Sequence, residues 1–558
     1  MSTDDDHREI EWQFDAVDLR PVRRWLEARP ENVPPAIRPG PVRELVDTYW
    51  DTEDWRLYRA GWSLRARAAV GTFEATLKSF GAARDGRRDR REITEPVSEG
   101  GPDAFRRGRG PVRDRVHALA GPRPLRALFE VRTTRAVMPV VVDGRPVAEL
   151  ALDDTTIPMA SGERPARIQR VEVEVAPNAP EEVRAFVEEL RSGCGLQPAG
   201  TSKFETGLLA TGLVPPPPAD LGPRDVDDSK TVGQVAFAVL RTQFPTFLAH
   251  EPGARLGEDP EDVHDMRVAI RRMRASMSVF REALPVRAQA LRRELKWVGA
   301  ALGEVRDLDV QLEQFGRWAG ELSTEDRTAL APVMKTFERR RSQARQRLLR
   351  VLDSRRYERL IASLTTMLRQ GPLRRSPPSR VPALIAGPDL VRGRYRRMRK
   401  AGNPIDDHSP PEALHRLRIR EKRLRYATEF LQPLYGKPAG RLIKRLSTMQ
   451  DVLGLYQDAQ VGMEQVRRLA EEGTADLPTQ AVFVLGRIAE RYRLQATEQR
   501  AMFPKAYRRA RGKAWRRLRR AMDRRRAELE STLSVRSPRQ PVRAAPHVVT
   551  EMNSRLPA

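Results

Sequence analysis

Two periods divide the chain. Up to about residue 212, apolar and polar residues alternate in short runs: REIEWQF (8–14), SLRARA (63–68), TFEATLKS (72–79), VMPVVVD (137–143), VAELALDD (147–154) and RIQRVEVEV (167–175). Alternation over such lengths predicts half-buried strands. One helix is predicted at 180–193, with Pro and acidic residues at its start and Gly at its end. LVPPPPADLGPRDVDDS (213–229) is a proline-rich acidic linker, a semi-rigid spacer that leaves its flanks free to move independently. From 230 to 530 the period is 3.6, which predicts an all-helical domain. Residues 531–558 are rich in Ser, Pro and Arg, lack an apolar pattern and read as a disordered tail. The predicted class is α+β in two domains, 5–212 and 230–530.

The helical part contains a duplication. VHDMRVAIRRMR (263–274) returns as LHRLRIREKRLR (414–425), a shift of 151 residues. The same shift brings ALGEVRDLDV (301–310) onto VLGLYQDAQV (452–461), matching Gly303 with Gly454 and Asp307 with Asp458. Two motifs obeying one offset predict two related helical bundles with approximate two-fold symmetry, about 230–370 and 389–530, joined by 369–388.

Composition narrows the function. A formal charge of +26 and a pI near 10.9 point to a polyanionic partner. The single cysteine, Cys194, excludes a disulfide framework and a cysteine-rich metal site. The N-terminus has no apolar leader pattern, and no apolar run approaches the ~18 residues of a membrane span, so a cytoplasmic protein without membrane contact is expected.

On the predicted strands, His7, Glu9, Glu11 and Gln13 share one face, as do Arg170, Glu172 and Glu174; Arg65 and Arg67 have the same two-residue spacing. In one strand this is what a solvated face looks like. Carboxylates on some strands and cations on others, curled together, would instead make a charged lumen, which is costly unless the charges pair or a charged ligand fills it.

EIEWQF resembles the E-x-E-x-K signature of the CYTH superfamily, the triphosphate tunnel metalloenzymes. DTYWDT (47–52), SLRAR (63–67), ATLKS (75–79), RREI (90–93), EVRTTR (130–135), ELALDD (149–154), VEVEV (171–175) and TSKFETGL (201–208) follow in the family's order. The resemblance implies an antiparallel β tunnel with flanking helices that binds triphosphate-like substrates with Mg²⁺ or Mn²⁺. It implies Glu9, Glu11, Glu172 and Glu174 as catalytic, Glu9, Glu11, Asp153, Glu172 and Glu174 as metal-holding with Glu149 assisting, and Arg65, Arg67, Lys78, Arg132, Arg135 and Lys203 as phosphate-gripping. Hard oxygen ligands suit Mg²⁺ and guanidinium groups suit phosphate. Gln13 stands where the signature has lysine. One charge-assisted contact is worth about 1.5–3 kcal/mol, so altered specificity or slower turnover is expected, with a non-catalytic binding tunnel as the competing reading.

On a helix, His264, Arg267, Arg271 and Arg274 form one stripe and Met266, Ile270, Met273, Met277 and Phe280 the opposite one. The second copy sets His415, Arg418, Lys422 and Arg425 against Leu417, Leu424 and Leu431. A lone basic stripe is most often a solvated face; two related by symmetry would line a shared basic surface. Cations one turn apart suit a run of phosphates, and a histidine could donate to a phosphate oxygen.

This half resembles the CHAD domain, which implies paired four-helix bundles that bind inorganic polyphosphate, often at polyphosphate granules. The three readings in play are an inorganic triphosphatase with a polyphosphate-docking domain, a polyphosphate-binding protein without catalysis, and a nucleic-acid binder. The last is disfavoured: aromatic residues are only 6% of the chain, few for base stacking, and no nucleic-acid-reading motif is present. Nothing in the sequence marks an adenine pocket for nucleotide cyclisation.

Overall fold

The computed structural model describes residues 6–30, 33–69, 71–81, 83–159, 164–176, 181–472 and 478–536. The strands are β1 (Asp6–Ala16), β2 (Ala36–Ile37), β3 (Val42–Thr52), β4 (Trp62–Ala69), β5 (Thr72–Ser79), β6 (Arg87–Val97), β7 (Leu125–Val142), β8 (Arg145–Ile157), β9 (Ala166–Val175) and β10 (Gln197–Pro198). Eight of them close into an antiparallel barrel in the order β1–β6–β5–β4–β3–β7–β8–β9, and β9 pairs back onto β1. Closure removes the sheet edges and gives every strand an inner and an outer face.

The outer apolar positions are covered in patches. Phe14, Val171 and Val173 pack beneath helices Leu19–Glu27 and Glu181–Gly193, while Leu64, Leu77 and Ile93 pack beneath helix Pro111–Ala120. The inner positions are charged yet buried: Glu9, Glu11 and Gln13 are each 3% exposed and Asp153 is 0% exposed. Alternation alone cannot distinguish a wet face from such a lumen; closure of β9 onto β1 decides it.

The predicted strands omit β3 and β6. Both complete the lumen. Helix Lys203–Thr211 is fixed by a capping box between Ser202 and Glu205. Gly207 lets it seat, because a Cβ there would stand 2.0 Å from the Phe129 ring. Phe204 then lies 5.3 Å from Tyr49 and 6.0 Å from Phe129, ring centre to ring centre.

The described residues between 232 and 536 are mainly helical. Helices Val232–Ala249 and Pro260–Val279 have counterparts Ala383–Gly402 and Pro411–Phe430, each beginning 151 residues later. Helices Arg287–Gly320, Thr324–Leu352 and Arg355–Gln370 correspond to Gln432–Glu472, Thr479–Ala510 and Lys513–Arg536; Gln432–Glu472 breaks at Gly436, whose φ is 54°. Among the described residues each half thus has five long helices rather than four. Three points differ from the sequence reading. The second half begins at Ala383, not 389, because Ala383, Leu384, Val391 and Tyr395 continue a buried stripe through Pro388. The final helix runs on to Arg536; the rest of the expected tail lies outside the described residues. Finally, the linker does not leave two independent bodies. Arg115 Nη2 lies 2.9 Å from Glu258, Arg123 Nη2 lies 2.6 Å from Glu358, and the buried Arg255 donates to the Ala118 carbonyl at 3.3 Å. No described helix is long and apolar enough to cross a membrane.

Candidate functional site: a charged tunnel and a basic cleft

Alternation on eight strands brings charged side chains into one lumen, which encloses a cavity of about 370 Å³. Lys78 Nζ lies 2.7 Å from both Glu9 and Glu92. Arg90 Nε lies 2.7 Å from Glu9, and its Nη2 bonds Glu11. Arg135 forks onto Asp153 at 2.8 and 2.7 Å and also touches Glu172. Lys203 bonds Asp153 and lies 2.9 Å from Glu172. Arg67 forks onto Asp47 at 2.7 and 2.9 Å, and Arg65 donates to Thr76 at 3.3 Å. Gln13 donates to Glu11 at 2.9 Å and to Glu172 at 3.3 Å.

These contacts set the protonation states. Burial opposes ionisation of Glu9, but Lys78 and Arg90 hold its carboxyl well below the usual range. Lys203 and Arg135 overcome burial at Glu172 in the same way. For Glu11 burial prevails and the carboxyl is raised. Glu174 makes no hydrogen bond or ion pair among the described residues. Desolvation, then repulsion from Glu9, pushes it up to about 7.

The structure brings Glu9, Glu11, Arg65, Arg67, Lys78, Arg135, Glu149, Glu172, Glu174 and Lys203 to one cavity wall, with Asp153 behind Arg135 and Lys203. Arg132 is the correction. It has the opposite parity to Arg135 on β7, so it points outward and pairs with Glu130 at 2.7 Å, its side chain 64% exposed. Sequence reasoning assigned no roles to Asp47, Arg88, Arg90 and Glu92. The period-two signal was present in RRDRREIT (87–94), where Arg88, Arg90, Glu92 and Thr94 alternate inward.

The inward set comprises seven cations (Arg65, Arg67, Lys78, Arg88, Arg90, Arg135, Lys203) against nine carboxylates (Glu9, Glu11, Asp47, Glu92, Glu149, Asp153, Glu172, Glu174, Glu205). The lumen is already near neutral. A polyanion entering it brings charge that needs compensation, which a divalent cation supplies. Among the described residues no three carboxylates form a ready-made metal cluster.

In the helical half, Met266, Ile270, Met273, Leu417 and Leu424 are each 0% exposed, so the apolar stripes are core. Helices Pro260–Val279 and Pro411–Phe430 pack on each other. The basic stripe separates into two sets. Arg267 lies 3.5 Å from Asp307, Arg418 faces Asp458, and Arg425 bonds Gln450 at 2.9 Å and also Glu429. Arg271, Arg274 and Lys422 instead line a cleft of about 310 Å³ with Arg292, Arg394, Arg397, Arg420 and Arg423, and among the described residues no carboxylate lines it. Burial, then Arg418 and Arg271, bring the Lys422 ammonium down to about 8. His264 is lowered by burial and then by Arg306, and His415 Nδ1 lies 3.0 Å from Gln457 Oε1. The cleft's other arginines come from three helices, Arg287–Gly320, Ala383–Gly402 and Pro411–Phe430, and only the packing of those helices brings them together.

The chain is similar to an uncharacterized protein of Mycobacterium tuberculosis, 26% identical over 542 residues that cover 90% of this chain and 98% of that one. Among solved structures, PptA from Streptomyces chartreusis is 21% identical, covers 50% of this chain and 100% of its own, and has a TM-score of 0.42. The CHAD domain from the plant Ricinus communis is 24% identical, covers 57% and 96%, with a TM-score of 0.39. A Hippeastrum protein, HpAC1, with a dominant triphosphatase activity, is 19% identical, covers 37% and 98%, with a TM-score of 0.29. The CYTH family model matches residues 40–207 and the CHAD family model residues 238–467. The first match begins after β1, the strand that closes the barrel. The chain therefore carries a CYTH domain followed by a CHAD domain.

Proposed function

We propose that the barrel hydrolyses inorganic triphosphate and short polyphosphate with Mg²⁺ or Mn²⁺, and that the helical half binds polyphosphate. The observation that supports this most is the closed lumen of interleaved acids and bases, together with the metal dependence of CYTH domains. Triphosphate entering the lumen exchanges carboxylates for phosphate oxygens at Lys78, Arg90, Arg135 and Lys203. Positioning and charge neutralisation then carry most of the barrier reduction. A divalent ion, when bound by Glu9, Glu11, Asp153 or Glu172, supplies the charge compensation on the phosphate oxygens. Glu174, free of cationic partners, accepts the proton of the attacking water; the water oxygen bonds the terminal phosphorus, the bridging P–O bond breaks and diphosphate leaves. Polyphosphate occupies the cleft of Arg271, Arg274 and Lys422, where one chain contacts cations from both repeats.

Phosphate release from tripolyphosphate with each metal tests the proposal, with Glu172→Ala as the control. Turnover no greater than the control overturns hydrolysis. The second reading, a tunnel that binds without cleaving, is favoured by Gln13, and it predicts binding of tripolyphosphate without phosphate release.

A further inference from the structure

One lumen cation that none of the expectations included is held by neutral acceptors. Arg88, on β6, is 3% exposed. Its Nε donates to Gln13 Oε1 at 3.1 Å, Nη1 to the Gly81 carbonyl at 3.2 Å and Nη2 to the Gly200 carbonyl at 3.3 Å. All three acceptors are neutral. Its nearest carboxylate is Glu205 at 3.8 Å, whose side chain is 49% exposed. Lys78, Arg90, Arg135, Lys203 and Arg67 each touch a carboxylate within 2.9 Å, and Arg65 lies 3.6 Å from the buried Asp47. Arg88 lines the same cavity, so its charge is desolvated, fixed in direction and only partly offset by the distant Glu205. Burial, then repulsion from Arg90, destabilises the cation, and an anion beside it would relieve both.

Gln13 makes this arrangement work. Its amide nitrogen is taken by Glu11 and Glu172, which leaves its oxygen aimed at Arg88. A lysine at position 13 has no acceptor to offer and would confront the guanidinium with a like charge.

We propose that Arg88 is a substrate-binding residue that grips a phosphate oxygen at the Gln13 corner of the tunnel, with Gln13 as the neutral residue that positions it. This deepens the functional reading above and rests on it. The neutral residue at position 13 then marks a relocated cation rather than a lost one.

The test is calorimetric binding of tripolyphosphate, with phosphate release in parallel, for wild type, Arg88→Gln, Arg88→Lys, Gln13→Lys and the Arg88→Gln/Gln13→Lys pair. Arg88→Gln is expected to weaken binding roughly tenfold to a hundredfold, the loss of one charge-assisted contact, and to raise KM more than it lowers kcat. Arg88→Lys keeps the charge while losing the two carbonyl bonds, and should retain most of the affinity. The pair should regain affinity over Arg88→Gln alone. A merely structural Arg88 gives the opposite pattern, because a lysine at 13 cannot tie the Gly81 and Gly200 carbonyls. Binding by Arg88→Gln within twofold of wild type, equal losses in Arg88→Gln and Arg88→Lys, or no recovery in the pair each overturns the assignment. Wild type that binds no tripolyphosphate overturns the functional reading, and this assignment with it.

Discussion

The guanidinium of Arg418 lies against the bare Cα of Gly454: a Cβ built there would stand 3.0 Å from Nη2. In the other repeat a Cβ on Gly303 would stand 3.6 Å from Arg267 Nε. The His-x-x-Arg and Leu-Gly-x-x-x-Asp motifs are therefore two sides of one contact, in which glycine makes room for the arginine and Asp307 or Asp458 faces it. Alanine in a helix is worth about 1 kcal/mol over glycine. Gly303→Ala should raise thermal stability by about that amount and leave polyphosphate affinity within twofold. Gly454→Ala must push Arg418 toward its neighbour Lys422, and several-fold weaker polyphosphate binding is expected. Melting and titration of the two variants check the contrast.

Arg132 and Arg135 are three residues apart on one strand and face opposite sides of it. Arg132→Ala should leave tripolyphosphate binding within twofold, because its side chain is outside the barrel. Arg135→Ala strips the buried Asp153 and Glu172 of a shared cation and should weaken binding at least tenfold while lowering the melting temperature, since an uncompensated buried charge is costly. Binding isotherms and thermal melts read both.

Glu421 takes the place that Ile270 holds in the first repeat, and both are 0% exposed. Neither carboxylate oxygen has a hydrogen-bond partner, and burial pushes the carboxyl up to about 8. A raised acid pKa means that the folded state keeps a proton the unfolded state releases. Stability therefore falls as pH rises from the ordinary carboxylate range near 4.5 towards 8, by about 1.4 kcal/mol per pH unit at most. Glu421→Ile should remove that slope, with little effect on melting temperature near pH 4.5 and a clear increase at pH 8. Equal gains at both values would contradict the burial argument.

Exposed ion pairs are individually weak, about 0–1 kcal/mol, but those at the domain junction converge on Glu258 and Glu358. Glu258→Arg combined with Glu358→Arg places like charges face to face. Faster proteolysis within 213–229 and a larger radius of gyration in solution scattering are expected.

Strand alternation, the 151-residue offset and the change of period at the linker were legible in the sequence because each is local, or repeats local information. They determined a charged-faced sheet and a duplicated helical half, and the ordered motifs that resemble the CYTH family implied most of the acids and bases of the tunnel. What lay beyond them depends on contacts between residues distant in sequence. Closure of β9 onto β1 turned wet faces into a lumen, and the parity of β7 put Arg132 outside it. Packing within each repeat paired Arg267 and Arg418 with acids, while the meeting of the two repeats left Arg271 and Lys422 in a cleft that no carboxylate lines among the described residues. Gln13 reads in sequence as a missing charge; only the barrel, by bringing Arg88 to within 3.1 Å of it, shows where a cation stands. A side chain's chemistry is written in the sequence, but whether its charge is cancelled depends on its neighbours, and tertiary structure chooses those.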